Sequence, residues 1–240
     1  MPETASATEV KTGPNIQRMF SAIAPRYDLL NHLLSLNRDK SWRRRAADLL
    51  LAGGRPQARY LDACAGTLDL SVEIARRPGF QGEVIASDFS FPMLQAGVSK
   101  QKGLAIRTAC GDALQQPFPN ASFDGAIVGF GVRNLSSIEL GLSEFARLIR
   151  PGGRLVILEF TTPGWQPFRG LYLFYFRAIL PAIGRLISGH DRAYSYLPQS
   201  VLEFPEPPQL VQRLERAGFH DVSWQTYTGG IVAAHVATRR

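Results

Sequence analysis

Short apolar runs alternate with helix-like segments from residue 59 onward, and this alternation limits the folds open to the chain more than any other feature. The runs have the length of buried strands and lie at 59–61, 84–87, 105–108, 125–129 and 155–160. The helix-like segments between them lie at 69–76, 92–102 and 136–149. Strands that alternate with helices favour a doubly wound α/β fold with a mostly parallel sheet.

Two regions flank this α/β series. Before it, apolar residues recur at steps of three and four through 12–51 and predict an N-terminal helical layer. After it, an apolar stretch predicts a helical insertion over 163–205, followed by a helix near 208–217 and two strand-like runs near 222–227 and 231–238. Thr228-Gly229-Gly230 favours a hairpin between these runs, so we expect a seven-stranded sheet that ends in an antiparallel pair.

Length and composition fit a single domain over residues 1–240. A chain of 240 residues with 45% hydrophobic and 20% charged side chains can bury one core without disulfides or a structural metal. Cys64 and Cys110 are too few for a disulfide framework or a zinc cluster, which suits a reducing compartment. Residues 1–11 read as a polar tail without the apolar segment of a secretory signal, so we expect a cytoplasmic protein.

The formal net charge of +7 predicts a surface that attracts an anionic partner. Nucleic acid, a phosphorylated substrate and an acidic membrane face all fit this charge. The most apolar stretch, 171–180, contains Arg177 and is followed by Pro181, and it is far shorter than the ~18 apolar residues of a spanning helix. We therefore expect no membrane span, and at most peripheral contact with a membrane surface.

A turn of small residues follows the first strand, in the order Asp62-Ala63-Cys64-Ala65-Gly66-Thr67-Leu68-Asp69. Small residues between a strand and a helix let the backbone approach a ligand closely, and the first N–H groups of the helix then face an anionic group. Because such turns are common, this one needs further support before it indicates a ligand site.

Acidic residues at the ends of the next two strands supply that support. Asp88 ends the second strand, where a carboxylate can accept hydrogen bonds from a ribose diol, and Asp112 follows the third, where it can meet an adenine amino group. Each acid alone also fits a helix cap or a solvated turn. Because ligands bind at the carboxyl ends of strands in open α/β sheets, the series predicts one nucleoside-like ligand.

From Lys11 to Arg239 the sequence resembles the ubiquinone/menaquinone-biosynthesis C-methyltransferases, within the class I S-adenosylmethionine-dependent methyltransferases. Two stretches make the resemblance specific. The stretch 27–42 has the family spacing at Tyr27-Asp28, Asn31, Ser35 and Trp42. The stretch 147–161, which includes Pro151-Gly152-Gly153, is close to the family's second signature. The resemblance implies a Rossmann-like class I methyltransferase fold.

The same resemblance implies S-adenosylmethionine as the cofactor. Its expected contacts come from the first turn and from later strand ends, at Ala65, Gly66, Thr67, Asp88, Asp112, Ala113 and Gly129. Asp62 is expected to hold the methionine end by accepting a hydrogen bond from its ammonium group. The implied reaction moves the sulfonium methyl group to a ring carbon of a prenylated quinol. Alignment and a desolvated pocket matter most for such a displacement, so no metal is expected.

The quinol needs help as a nucleophile, because its ring carbon attacks far better once a hydroxyl has lost its proton, and a phenol titrates near ~10. Arg133 and Asn134, just past the fourth strand, are the catalytic candidates. Arg133 would stabilise a developing phenolate or order a proton-accepting water, and Asn134 would orient it. A structural ion pair is the alternative role for Arg133, and a helix cap is the alternative for Asn134.

Tyr27, Tyr194, Tyr196 and His235 are the candidate substrate residues. The tyrosines would close over the quinol ring by stacking, although packing alone also explains buried aromatic side chains in a helical layer. His235 lies in a family-like segment, and a structural hydrogen bond is its alternative role. The apolar insertion suits a polyprenyl tail or a membrane face, with core packing as the competing explanation.

Leu68 stands where the family turn usually carries Gly, and a Leu follows positive φ at a cost, so we expect its side chain near the methionine moiety. Three alternatives stay open: methylation of another aromatic small molecule, methylation of RNA, and a noncatalytic scaffold in a quinone-biosynthesis assembly. RNA fits worst, because basic residues alone only bind phosphate. The expected partners are the quinol, a membrane surface and a second copy in a homodimer, without nucleic acid. Benzoquinol and naphthoquinol head groups fit equally.

Overall fold

The computed structural model describes residues 13–24, 27–179 and 191–240, without the side chains of Leu30, Leu34, Arg177 and residues 191–195. Its centre is one seven-stranded sheet. The strands are β1 (Arg59–Ala63), β2 (Glu83–Asp88), β3 (Ile106–Cys110), β4 (Phe123–Gly129), β5 (Ile149–Phe160), β6 (Phe219–Tyr227) and β7 (Val232–Arg239). Their order is β3-β2-β1-β4-β5-β7-β6, and β7 runs antiparallel to both of its neighbours. The predicted α/β fold and its antiparallel end are therefore confirmed.

Helices cover both faces of the sheet and form the predicted N-terminal layer and insertion. They are α1 (Gly13–Ile23), α2 (Tyr27–Leu34), α3 (Arg38–Leu51), α4 (Asp69–Ala75), α5 (Phe91–Gly97), α6 (Ile138–Leu148), α7 (Gln166–Phe174), α8 (Asp191–Glu203) and α9 (Pro207–Arg216). Short helical turns follow at Val98–Gln101, Val132–Asn134, Tyr175–Ile179 and Thr228–Gly230.

Two boundaries differ from the sequence prediction. The helix expected over 92–102 ends as an α-helix at Gly97 and continues as a tighter turn, since glycine favours a helix end. The strand expected at 155–160 instead begins at Ile149, and Pro151-Gly152-Gly153 forms a bulge inside β5. Ile149 pairs with Phe123 and Arg154 pairs with Gly125, so the residues between them leave the regular register.

Strand residues alternate between two separate core clusters. Val156 and Leu158 face α3 and α4, where Leu50 and Ile74 are fully buried. Leu155 and Ile157 face the other side of the sheet, which α6 and α9 cover. A third cluster joins α1, α7 and α8 above the carboxyl ends of the strands. The insertion therefore packs on the N-terminal helical layer and encloses the space over the sheet edge.

Within the described part of the chain, no helix combines the length and apolarity that crossing a bilayer requires.

Candidate active site

A cleft opens at the carboxyl ends of β1 to β4, where the strand order reverses between β1 and β4. In open α/β sheets this reversal point is where ligands bind. Several residues of the predicted cofactor site line the cleft together: Gly66, Asp88, Asp112, Ala113 and Gly129. The structure thus collects residues that lie far apart in the sequence into one groove.

Asp88 ends β2 with its carboxylate turned onto the neighbouring backbone. Its Oδ2 accepts a hydrogen bond from the Gly66 N–H at 2.9 Å, and its Oδ1 accepts one from the Ser90 N–H at 2.8 Å. Burial raises the pKa of Asp88, whereas these backbone donors lower it. A carboxylate oxygen has two acceptor positions, so Asp88 can still accept from the paired hydroxyls of a ribose.

Asp112 has a local role in addition to its place in the cleft. Its Oδ1 accepts a hydrogen bond from the Leu114 N–H at 2.9 Å, which shapes the turn after β3. Both Asp112 and Ala113 still line the cleft. Asp112 can therefore both shape the turn after β3 and contact a ligand in the cleft.

Leu68 adopts the left-handed conformation, with φ 69°, immediately before α4. Its side chain is fully buried in the core cluster between the sheet, α3 and α4, and it is not among the described residues that line the cleft. The leucine that stands in place of the family glycine thus packs its side chain in the core, and its place near the methionine moiety stays a prediction. The space it fills lies beside Gly97, where a Cβ would come within 2.6 Å of Leu68 Cγ.

Two other residues of the turn are hydrogen-bonded within the protein. The Thr67 hydroxyl donates a hydrogen bond to Asp28 Oδ1 in α2 at 2.5 Å, and the Ala65 N–H donates one to the Ser87 carbonyl at 3.0 Å. Neither is among the described residues of the cleft lining. The Thr67 hydroxyl thus ties the turn to the helical layer, and its expected contact with the cofactor stays a prediction.

Asp62 lies behind the same turn and is 1% exposed. Its Oδ2 accepts a hydrogen bond from Ser71 Oγ at 2.6 Å, and it too is outside the lining formed by the described residues. Burial raises the pKa of Asp62 to about 7, Ser71 lowers it, and the charge of Asp88 raises it. A cation that comes near would stabilise the charged carboxylate and so make Asp62 easier to ionise.

A second cavity, of about 610 Å³, lies between the helical layer, the insertion and the ends of β4 and β5. Most of its lining side chains are apolar. It meets the cleft at Phe20, Tyr27 and Phe130, which line both spaces. A molecule held in this cavity would therefore lie next to a ligand in the cleft.

Arg133 follows β4 and lines the second cavity. Its Nη1 donates hydrogen bonds to Glu159 Oε2 at 2.8 Å and to the Phe130 carbonyl at 2.5 Å. Arg133 is 7% exposed and Glu159 is 1% exposed, so the two form a buried ion pair. Arg133 thus forms the structural ion pair that was its alternative role. It also lines the cavity, and its Nε has no hydrogen-bond partner among the described residues.

Asn134 connects the two spaces. It lines the cofactor cleft, and its Oδ1 accepts a hydrogen bond at 3.1 Å from the hydroxyl of Tyr196, which lines the second cavity. Burial raises the pKa of Tyr196 to about 12, so this hydroxyl stays a donor. The helix-cap alternative is wrong for Asn134, because Ser137 caps α6 by accepting from the Leu140 N–H.

Comparison with known proteins fits this geometry. The model of the ubiE/COQ5 methyltransferase family matches residues 6–239. The chain belongs to this family. A demethylmenaquinone methyltransferase from Deinococcus radiodurans is 45% identical over 230 residues, which are 95% of this chain and 94% of that protein. One from Thermus thermophilus is 46% identical over 92% of this chain and all of that protein.

Solved structures support the fold of this ubiE/COQ5 family member. A SAM-dependent methyltransferase from Thermotoga maritima superposes with a TM-score of 0.63 at 15% identity, over 93% of this chain and 99% of that one. Another, from Aquifex aeolicus, gives 0.58 at 17% identity, over 81% and 89% of the two chains. The resemblance drawn from the sequence is confirmed. The protein is a methyltransferase of the Rossmann-like class, and its cofactor is S-adenosylmethionine.

The structure separates the predicted substrate residues of this methyltransferase. Tyr27 lines both spaces, and Tyr196 lines the second cavity. Burial raises the pKa of Tyr27, which Arg133 lowers. Tyr194 belongs to α8, but its side chain lies outside the described residues. Tyr27 and Tyr196 are thus the predicted tyrosines that reach the candidate active site.

His235 does not belong to this site, which corrects the sequence prediction. It lies in β7 on the sheet face that carries Ala237, opposite the helical layer, and lines neither space in the described structure. Its Nε2 donates to the Pro207 carbonyl at 3.2 Å, and burial lowers the pKa of His235 to about 4. His235 is therefore a structural residue that stays neutral.

The methyltransferase also contains a cluster of one histidine and two aspartates beside the second cavity, formed by His32, Asp39 and Asp69. Its charges already have cationic partners. Arg43 pairs with Asp39 and lies 3.7 Å from Asp69, and Lys100 Nζ lies 2.5 Å from Asp69. This cluster therefore ties α2, α3 and α4 together by ion pairs.

Glu159 and Tyr172 are site residues that the sequence analysis missed. Glu159 lies at the carboxyl end of β5, so the rule that selected Asp88 and Asp112 also applies to it. Tyr172 lies in α7 and lines the second cavity, but nothing in the apolar insertion distinguishes it from core residues. Its position depends on how the insertion folds over the sheet.

Proposed function

We propose that this protein is a C-methyltransferase that acts on a prenylated quinol, with demethylmenaquinol as the substrate. The observation that carries the proposal is the cavity of about 610 Å³ that meets the cofactor cleft at Phe20, Tyr27 and Phe130 and has Arg133 on its wall. The bacterial relatives are named demethylmenaquinone methyltransferases, and this name supports a naphthoquinol head group over a benzoquinol.

The cleft residues would hold the cofactor by groups that match its parts. Asp88 accepts hydrogen bonds from the ribose hydroxyls, Asp112 accepts from the adenine amino group, and Gly66 brings the backbone close. Asp62 attracts the ammonium group of the methionine end through its charge. The bound cofactor supplies an electrophilic methyl group. The protein's own task is to align the quinol and to exclude water.

Arg133 is the residue that makes the quinol a better nucleophile. Its guanidinium stabilises the phenolate that forms when the quinol hydroxyl loses its proton. Glu159 fixes the guanidinium in place and balances its charge when the cavity is empty. A free guanidine is not a base at ordinary pH, so the proton leaves to water or to another acceptor. Asn134, held by Tyr196, orients the reacting edge of the ring.

The outer part of the cavity suits the prenyl tail. Three apolar side chains of its lining are exposed, Leu36 at 79%, Leu171 at 65% and Ile179 at 38%, and Arg38 lies beside them. An apolar rim with a cation fits peripheral contact with an anionic membrane surface, from which a prenylated substrate can enter.

A methylation assay tests the proposal. The full chain is incubated with S-adenosylmethionine and with demethylmenaquinol or the corresponding benzoquinol, each kept reduced. We expect methylation of the naphthoquinol ring. Cofactor binding with no methylation of either head group would favour another aromatic substrate. A folded protein that does not bind the cofactor in calorimetry would be a noncatalytic scaffold.

A further inference from the structure

Tyr172 carries a buried hydroxyl that no group in the described structure satisfies. Its side chain lines the second cavity and is 5% exposed. Its hydroxyl oxygen has no hydrogen-bond partner among the described residues. Leaving such a group unpaired costs about 1–3 kcal/mol, so an unpaired buried hydroxyl on a side chain that lines a cavity points to a ligand that completes the bond.

Arg133 lines the same cavity and carries a second unpaired donor, because its Nε is also buried without a partner among the described residues. Aromatic rings separate the two donors. Tyr172 stacks on Phe176 at 4.9 Å between ring centroids, and Phe176 lies 6.2 Å from Phe160. The Arg133 guanidinium lies 5.4 Å from the Phe160 ring. A chain of aromatic side chains that line the cavity therefore links the two residues with unpaired donors.

We propose that Tyr172 binds the head group by donating a hydrogen bond to the quinol oxygen remote from the methylated carbon, while Arg133 holds the oxygen beside that carbon. This proposal rests on the proposed function. The two oxygens of a quinol lie on opposite edges of its ring, so binding both of them requires two separate donors. The ring would pack against the aromatic side chains of the lining, Phe160 among them.

The chemistry of the two donors suits these roles. Burial raises the pKa of Tyr172, and the charge of Arg133 lowers it. Tyr172 therefore stays protonated and serves a neutral oxygen, whereas the cationic Arg133 serves the oxygen that becomes a phenolate. Tyr172 would thus select substrates with a second ring oxygen.

The variant Tyr172→Phe removes the hydroxyl and keeps the ring on Phe176. Tyr227→Phe is the matched control, because the Tyr227 hydroxyl is also buried without a partner among the described residues but lines neither space. Each protein is assayed with the quinol and with an analogue that lacks the remote oxygen, and cofactor affinity is measured by calorimetry.

We expect Tyr172→Phe to raise KM for the quinol about tenfold, with cofactor affinity unchanged. The wild type should prefer the quinol over the analogue about tenfold in kcat/KM, and Tyr172→Phe should lose that preference. Tyr227→Phe should retain it. An active wild type whose preference survives Tyr172→Phe would overturn the role of Tyr172. A wild type that methylates no quinol would instead overturn the proposed function.

Discussion

Leu68 and Gly97 fit each other, since a Cβ on Gly97 would lie 2.6 Å from Leu68 Cγ. Leu68 holds a positive φ of 69° and is fully buried. The missing side chain of Gly97 leaves the room in which this leucine packs. The atypical turn is therefore compensated by a contact with α5, and the cleft itself is not filled.

Gly97→Ala should destabilise the fold. The new Cβ would lie 2.5 Å from the Thr67 carbonyl oxygen as well as against Leu68. Overpacking of this kind costs about 1–3 kcal/mol in the free energy of unfolding, measured by chemical denaturation. Gly170→Ala is the control, because a Cβ there meets nothing within 4 Å. Equal stability of the two variants would contradict the packing described for Leu68.

Leu68→Gly should separate stability from cofactor binding. It relieves the positive φ but removes a buried side chain, and large-to-small core changes cost about 2–5 kcal/mol. Because Leu68 is outside the cleft lining of the described residues, we expect the Kd for S-adenosylmethionine to stay within about threefold of wild type. Calorimetry below the melting temperature measures it. A much tighter complex would show that Leu68 restricts the cofactor.

Asp88→Ala should chiefly weaken cofactor binding. Hydrogen bonds to charged groups contribute about 1.5–3 kcal/mol, so losing the carboxylate should raise the Kd roughly 10-fold to 100-fold. Glu215→Ala, an exposed acid on α9, is the control for removal of one negative charge. If both variants bind S-adenosylmethionine like the wild type, Asp88 does not hold the ribose.

Arg133→Ala should lower both turnover and stability, because it leaves the Glu159 carboxylate buried without its cation. Breaking a buried pair costs about 3–5 kcal/mol. The double variant Arg133→Gln with Glu159→Gln removes both charges and should fold better. We expect its kcat to fall about 100-fold or more with cofactor affinity nearly intact. Full activity of the double variant on a prenylated quinol would disprove the electrostatic role of Arg133.

Cofactor affinity should depend on the ionisation of Asp62. Burial raises the pKa of Asp62 to about 7, so the carboxyl is charged above that pH and neutral below it. The cationic cofactor favours the charged form, so its Kd should rise as the pH falls through 7. The ammonium of the ligand loses its proton near ~8, so the two titrations overlap above pH 7, and the dependence on Asp62 is measured as the pH falls below 7.

Calorimetry in buffers of different ionisation enthalpy measures the coupling. Near pH 7 the wild type should release protons as it binds S-adenosylmethionine. Asp62→Asn keeps an acceptor for Ser71. Its Kd should be higher than that of the wild type and nearly constant as the pH falls below 7. If the Kd of Asp62→Asn changed with pH as the wild-type Kd does, a group other than Asp62 would be responsible for the pH dependence.

The sequence by itself determined the sheet and the edge at which its acidic strand ends meet. Alternating apolar runs specify strands and helices, and Asp88 and Asp112 could be placed at one edge because parallel strands end together. Glu159 was open to the same argument. These are local signals, since each depends on the residues of one strand and the turn that follows it.

The tertiary structure decided which side chains face the ligand spaces. Thr67 turns to Asp28, Leu68 turns into the core beside Gly97, and His235 faces away from the helical layer, although all three lie in motif-like segments. Tyr172 reaches the cavity only because the insertion packs on α1. The physical reason is that side-chain direction depends on contacts between residues far apart in sequence, and no local pattern encodes those contacts.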